Sequence, residues 1–168
     1  MNDKVAVVVP SNRPESLKSF VKSWTPHLGG ATLIVVEDRD EKTPLELPTG
    51  SWHFCHKDIT RVLGGIGVDD GIIPFHTDSI RSFGVLVANT IGSDYIITTD
   101  DDCTPSTSDY VFNHVDNLKF PATVERWLPT CENHKPRGVP YGNTTSTKKP
   151  VLSHGAWVGV PDYDAITI

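Results

Sequence analysis

Five apolar residues in succession, Val5 to Val9, stand near the N-terminus and stop at Pro10. A half-exposed strand would alternate apolar with polar residues, so an unbroken run needs cover on both faces, as inside a parallel sheet. The next thirty residues suit such a sheet. Ser11-Asn12-Arg13-Pro14-Glu15 offers a capping residue with a proline just behind it, and Leu17, Phe20, Val21 and Trp24 recur at helical spacing. Leu33 to Val36 is a second apolar run, ending in Glu37-Asp38-Arg39-Asp40. Strand, helix and strand, with polar residues at the carboxyl ends, open an α/β fold: a mostly parallel open sheet flanked by helices, whose ligands sit at those ends.

A third run, Tyr95 to Thr99, reads as a central strand and breaks into Asp100-Asp101-Asp102, with Pro105 just beyond. Adjacent carboxylates repel, and the strand pleat sends Asp100 and Asp102 to one side and Asp101 to the other. A hard divalent cation relieves that repulsion. Magnesium and manganese take one or two protein carboxylates and complete their shell with water and phosphate oxygens, so the pattern points to a nucleotide diphosphate. The plain alternative is an acidic turn in solvent.

The 168 residues suit one domain over 1–168, and a 38% hydrophobic content with four tryptophans is enough for a globular core. A net charge of -6, with Lys148-Lys149 as the basic pair, argues against nucleic acid as a partner, because neutralising phosphates needs clustered cations. No apolar run reaches the length of a membrane span, and Met1-Asn2-Asp3-Lys4-Val5 lacks the pattern of a signal peptide. Cys55, Cys103 and Cys131 form no Cys-x-x-Cys and leave one over, which fits a reducing cytoplasm. A soluble, cytoplasmic protein with a small-molecule partner is expected.

The middle of the chain is less regular. Trp52 to His56 reads as a short strand, and Ile59, Val62 and Leu63 as a short helix closed by Gly64-Gly65. A further helix is expected over Asp78 to Asn89, capped by Asp78 or Thr77, with Ile80, Phe83, Leu86 and Val87 inward. Weak strand candidates cover Ala122 to Trp127 and Val151 to Val160. Gly64-Gly65-Ile66-Gly67 lacks the Gly-Lys-Ser/Thr ending of a phosphate loop and reads as a turn. His53, Cys55 and His56 would form a zinc site only by meeting Cys131 and His134 in space. Cys103 reads as a small packing residue beside the aspartates rather than a nucleophile.

Several blocks occur in one order along the chain: Val7-Val8-Val9-Pro10-Ser11-Asn12-Arg13, Val35 to Asp40, Lys57 to Gly64, Asp78 to Gly84, Thr99 to Cys103, Ser153-His154-Gly155-Ala156-Trp157, and Pro161-Asp162-Tyr163-Asp164-Ala165. Together they resemble the reversibly glycosylated polypeptides, the UDP-arabinopyranose mutase family, over the N-terminal half of the family pattern. The resemblance implies a GT-A-type nucleotide-diphospho-sugar fold, an Asp-x-Asp metal site for Mn2+ or Mg2+, and interconversion of UDP-arabinopyranose with UDP-arabinofuranose or a related glycosyl transfer. The C-terminal part of the family fold is expected to be absent. Members also become glycosylated on an arginine in an Arg-Glu-Gly context; the corresponding stretch here has Asn143 to Lys149, and that role passes to no residue.

Asp100 and Asp102 are expected to hold the metal and, with Arg81, to act in catalysis; Asp100 has ribose binding as its alternative. Arg13, Arg61 and Arg81 are the candidates for clamping phosphate, since a guanidinium gives fixed, charge-assisted bonds to oxygen. Surface ion pairs are the alternative for each. Pro10, Asp38, Asp78, Asp101 and His154 complete the expected nucleotide-sugar contacts, with Asp38 accepting from uracil or ribose or standing as a plain loop carboxylate. Trp157 and Tyr163 are candidates for a sugar wall. The expected partner is a UDP-sugar, with self-association or a second chain left open. Two other readings remain: a non-catalytic sugar-nucleotide-binding module, alone or completed by a second chain, and a cation-binding structural protein.

Overall fold

The computed structural model describes residues 3–120, 122–123, 147–148 and 152–153. The chain divides into two compact units, Met1–Phe112 and Asn113–Ile168, where the sequence reads as one domain.

The first unit contains β1 (Val5–Ser11), α1 (Pro14–Trp24), β2 (Thr32–Glu37), β3 (Trp52–Phe54), α2 (His56–Gly65), α3 (Ile80–Thr90) and β4 (Tyr95–Thr98). Its four strands are all parallel, in the order β3-β2-β1-β4, with Val8 facing Ile34 on one side and Thr98 on the other. This is the expected α/β class, an open parallel sheet flanked by helices, as a GT-A-type nucleotide-sugar fold requires. β1 lies inside the sheet, which is why its apolar run is unbroken: Ala6, Val7, Val8 and Val9 are all fully buried.

The strand pleat sends Ala6, Val8, Ile34 and Val36 into one core with Phe54, Ile59 and Leu63 of α2, and Ile80, Phe83 and Ala88 of α3. α1 packs against β1 and buries Leu17, Phe20, Val21 and Trp24, the set its spacing predicts. α3 lies unusually close to the sheet. A Cβ on Gly84 would clash with Val8 Cγ1 and stand 3.1 Å from Val36 Cγ2, so glycine there lets the helix backbone reach the strands.

Several local expectations shift. Ser11 ends β1, the cap position of α1 is Arg13 within the expected block, and the Ser11 hydroxyl accepts from the Arg13 backbone N–H at 3.0 Å. α3 starts at Ile80 rather than Asp78, because Thr77 and Ser79 are engaged with the Pro74 carbonyl in the turn before it. Leu86 faces solvent, and Gly84 and Ala88 take the inner positions. β4, expected to be central, is the outer strand of the four-stranded sheet among the described residues.

α4 (Tyr110–Lys119) begins in the first unit and runs into the second. In the second unit, β5 (Ala122–Thr123) pairs antiparallel with β6 (Thr147–Lys148), and His114 Nδ1 lies 2.9 Å from Ser153 Oγ. β5 falls within the strand expected from Ala122, while β6 had no sequence signal. In the second late strand candidate, Leu152 and Ser153 are irregular, and the rest of both candidates lies outside the described residues. Among the described residues, no helix is long and apolar enough to cross a membrane.

Candidate functional site

The carboxyl ends of β1, β2 and β4 open onto a cavity of about 540 Å³. Each wall comes from a break in a regular element. β1 supplies Pro10 to Arg13, β2 supplies Asp38, the turn before α3 supplies His76 to Asp78, the first turn of α3 supplies Ile80 and Arg81, and the loop after β4 supplies the three aspartates. Of the sequence-expected contacts, Pro10, Arg13, Asp38, Asp78 and Arg81 therefore meet Asp100, Asp101 and Asp102 at one place. Arg61 does not join them. It projects from α2 with 76% of its side chain exposed and pairs with Asp58 at 2.8 Å, the surface alternative weighed for it. His154, Trp157 and Tyr163 lie outside the described residues.

The acidic turn is anchored from several sides. Thr99 N–H donates to the Val8 carbonyl at 3.1 Å, and Trp24 Nε1 donates to the Cys103 carbonyl at 2.8 Å, tying the turn to β1 and α1. β4 ends at Thr98, and the aspartates sit in a turn in which Cys103 N–H donates to the Asp100 carbonyl at 3.2 Å; there the three carboxyl groups part company, Asp101 4% exposed, Asp102 56% and Asp100 50%. Asp101 accepts from the Ser11 hydroxyl at 2.5 Å, from Arg13 Nε at 3.3 Å and from the Arg13 terminal nitrogen. It is a positioning group, saturated by its own chain. Arg13 also reaches Asp102 at 2.9 Å, and Arg81 pairs with Asp100. Hydrogen bonds from Arg13 to Asp101 and then Asp102 push its guanidinium further up, so it is a permanent cation.

The opposite wall is different. Asp38 is buried, yet it lines the cavity. Its backbone N–H continues the ladder to the Ser11 carbonyl at 2.8 Å, and its carboxylate is met by His56 Nε2 at 2.6 Å and the His76 N–H at 2.8 Å. His76 has φ +60°, a conformation uncommon outside glycine, and that turn of the chain aims its N–H at Asp38. Behind this wall, Glu37 accepts from Thr43 N–H at 2.6 Å and His53 Nε2 at 2.6 Å. Burial pushes the Glu37 carboxyl up, but bonds from His53 and Thr43 outweigh it and hold the group below the usual range.

Sequence reasoning missed Ser11 as a support, and also His56 and His76. His56 was weighed as a zinc ligand together with Cys131 and His134, which lie outside the described residues; its ring nitrogens face Asp38 and Asp40, and His53 faces Glu37. Among the described residues, no group of three or more His, Cys, Asp or Glu side chains converges as a metal cage. A two-carboxylate site remains compatible with that finding. Five carboxyl groups and two guanidinium groups line the cavity, so a diphosphate entering alone meets surplus negative charge. The half-exposed oxygens of Asp100 and Asp102 are hard donors suited to a magnesium or manganese ion that brings phosphate with it.

The carboxyl ends of an open parallel sheet, where this charged cavity lies, are the place at which α/β folds take their ligands. The chain belongs to the reversibly glycosylated polypeptide family, whose pattern matches residues 1–168. It is 31% identical to probable UDP-arabinopyranose mutase 4 of Arabidopsis thaliana and 30% identical to UDP-arabinopyranose mutase 1 of Oryza sativa subsp. japonica, in each case over 99% of this chain and 47% of the relative. It is also 32% identical to the probable inactive UDP-arabinopyranose mutase 2 of the same rice, over 99% of this chain and 48% of that protein. The chain spans about half the length of these relatives.

Proposed function

We infer that the cavity binds a UDP-sugar together with Mn2+ or Mg2+ in the cytoplasm, and that it serves UDP-arabinopyranose mutase chemistry or a related glycosyl transfer. The observation that carries this reading is the convergence of the Asp-x-Asp turn, two arginines and a buried strand-end aspartate on one cavity. The names of the relatives support the sugar nucleotide as ligand.

Asp100 and Asp102 would hold the metal, which when bound neutralises charge on the diphosphate leaving group. Arg13 exchanges Asp102, and Arg81 exchanges Asp100, for phosphate oxygens, and Asp38 accepts from the base or ribose. Asp101 keeps Arg13 aimed. In the mutase reaction the bond between sugar C1 and phosphate oxygen breaks, with its electron pair leaving on the diphosphate. The hydroxyl that closes the other ring size bonds to C1 and gives up its proton, the old bond between C1 and the ring oxygen breaks with that oxygen taking a proton, and the phosphate oxygen of the retained UDP re-forms its bond to C1. Holding both fragments in one cavity makes that recombination nearly intramolecular.

Calorimetric titration with UDP, GDP and ADP, each with manganese and with chelator, tests the reading. Manganese-dependent preference for UDP is expected, and binding indifferent to metal or base overturns it. Incubation with UDP-arabinopyranose then separates a mutase, which equilibrates the two ring forms, from a module that binds without turnover.

A further inference from the structure

The cluster behind Asp38 has no part in the phosphate or metal chemistry, yet its geometry is tightly fixed. His56 is buried at the start of α2, its ring stacked on Phe75 with centroids 3.8 Å apart and planes 9° from parallel. Nε2 lies 2.6 Å from Asp38 Oδ1 and Nδ1 lies 3.1 Å from Asp40 Oδ1, so the ring is held by contacts at both nitrogens and on a face. The His76 N–H also donates to Asp38 Oδ1, at 2.8 Å. Both donors thus go to the same oxygen. Oδ2 accepts no hydrogen bond from the described residues, and its near neighbour, His76 Nδ1, stands 3.9 Å away, beyond hydrogen-bond reach. A buried carboxylate that lines a cavity, with two donors on one oxygen and no hydrogen bond from the described residues on the other, is an acceptor waiting for a donor on the ligand.

We propose that His56 is the positioning residue for nucleoside recognition: by holding Asp38 Oδ1 it turns Oδ2 toward the ring N–H or ribose hydroxyl of the bound nucleotide, and so sets selectivity for the nucleoside rather than affinity for the diphosphate. The proposal rests on the reading of the cavity as a UDP-sugar site, and it assigns His56 a role through Asp38 rather than contact with the ligand.

The test compares UDP with inorganic pyrophosphate, both titrated with manganese, across wild type, His56→Phe, His56→Gln and Asp38→Asn. Phenylalanine keeps the stack on Phe75 and removes both ring nitrogens; glutamine returns an amide N–H near the Nε2 position. His56→Phe is expected to weaken UDP about ten- to a hundredfold, the scale of a lost charge-assisted hydrogen bond, and to leave pyrophosphate unchanged. His56→Gln should recover most of the loss, and His56→Phe should add nothing in the Asp38→Asn background. Equal weakening of UDP and pyrophosphate by His56→Phe would show a folding role and overturn the proposal. So would undiminished UDP affinity in that variant. If wild type binds pyrophosphate as tightly as UDP, the sugar-nucleotide reading itself falls, and this proposal with it.

Discussion

The two walls of the cavity hold carboxylates in opposite ways. On the β4 side, Asp100 and Asp102 are half exposed and neutralised by Arg81 and Arg13, long side chains able to trade one anion for another. On the β2 side, Asp38 is 7% exposed and held by a stacked histidine and a backbone N–H, neither of which can swing away. On the proposed reading, the first wall changes partners when metal and phosphate arrive, and the second is already in place before them. Exchangeable pairs suit groups whose charge must be matched in the complex, whereas a fixed acceptor suits recognition by shape and direction.

That contrast is breakable. The largest effect is expected from Asp102→Asn, which should cost at least about a hundredfold in manganese-dependent UDP affinity, roughly 2.7 kcal/mol. Its unfolding free energy should change by less than about 0.5 kcal/mol, because the group is half exposed. Calorimetry and urea melts of one preparation read both; a large stability loss would make this wall structural. Asp101→Asn should do the reverse. It leaves Ser11 and Arg13 with a poorer acceptor in a buried place, and about 1–3 kcal/mol of stability should be lost in urea unfolding.

Glu37→Gln probes the support beneath the fixed wall and should cost about 1–2 kcal/mol at neutral pH. Because the folded carboxyl sits below the usual range, its contribution is present above the unfolded value of about 4.3 and lost as pH falls through the lower folded value. The gap between wild-type and variant melting temperatures should therefore narrow on acidification; a gap constant with pH would assign the loss to packing. Arg81→Ala should weaken UDP about tenfold while leaving uridine nearly unchanged, since its proposed partner in the complex is phosphate. Equal weakening of both would point to damage at the start of α3. The smallest effect belongs to Arg61→Ala: its exposed pair with Asp58 should contribute within about 0.5 kcal/mol, and UDP binding should stay at the wild-type level. A measurable loss of UDP there would extend the site beyond the cavity.

How much of the molecule was legible depended on the range of the interaction. β1, α1 and β2 were readable because an unbroken apolar run and a 3.6-residue stripe report burial directly, and their strand ends located Pro10, Arg13 and Asp38. The separation of Asp101 from Asp100 and Asp102 was expected from a strand pleat, but β4 ends at Thr98 and a turn produces it. The support that Ser11 gives was not readable because its acceptor, Asp101, comes from the loop after β4, a neighbour only through the parallel pairing of that strand with β1. Arg61 and Arg81 looked alike in sequence; helix placement alone separates an arginine paired with Asp58 on the surface from one that reaches the acidic turn.

By itself, then, the sequence determined the α/β class, the buried strands and the acidic turn, because local periodicity and charge spacing are properties of neighbouring residues. Only the tertiary structure decided which carboxylate is saturated, which is exchangeable and which is fixed. Those fates depend on partners distant in the chain: Ser11 for Asp101, Arg13 for Asp102, Arg81 for Asp100, and His56 with His76 for Asp38. A carboxylate's chemistry is set by the donors that surround it, and only the packing of the sheet and helices brings those donors within reach.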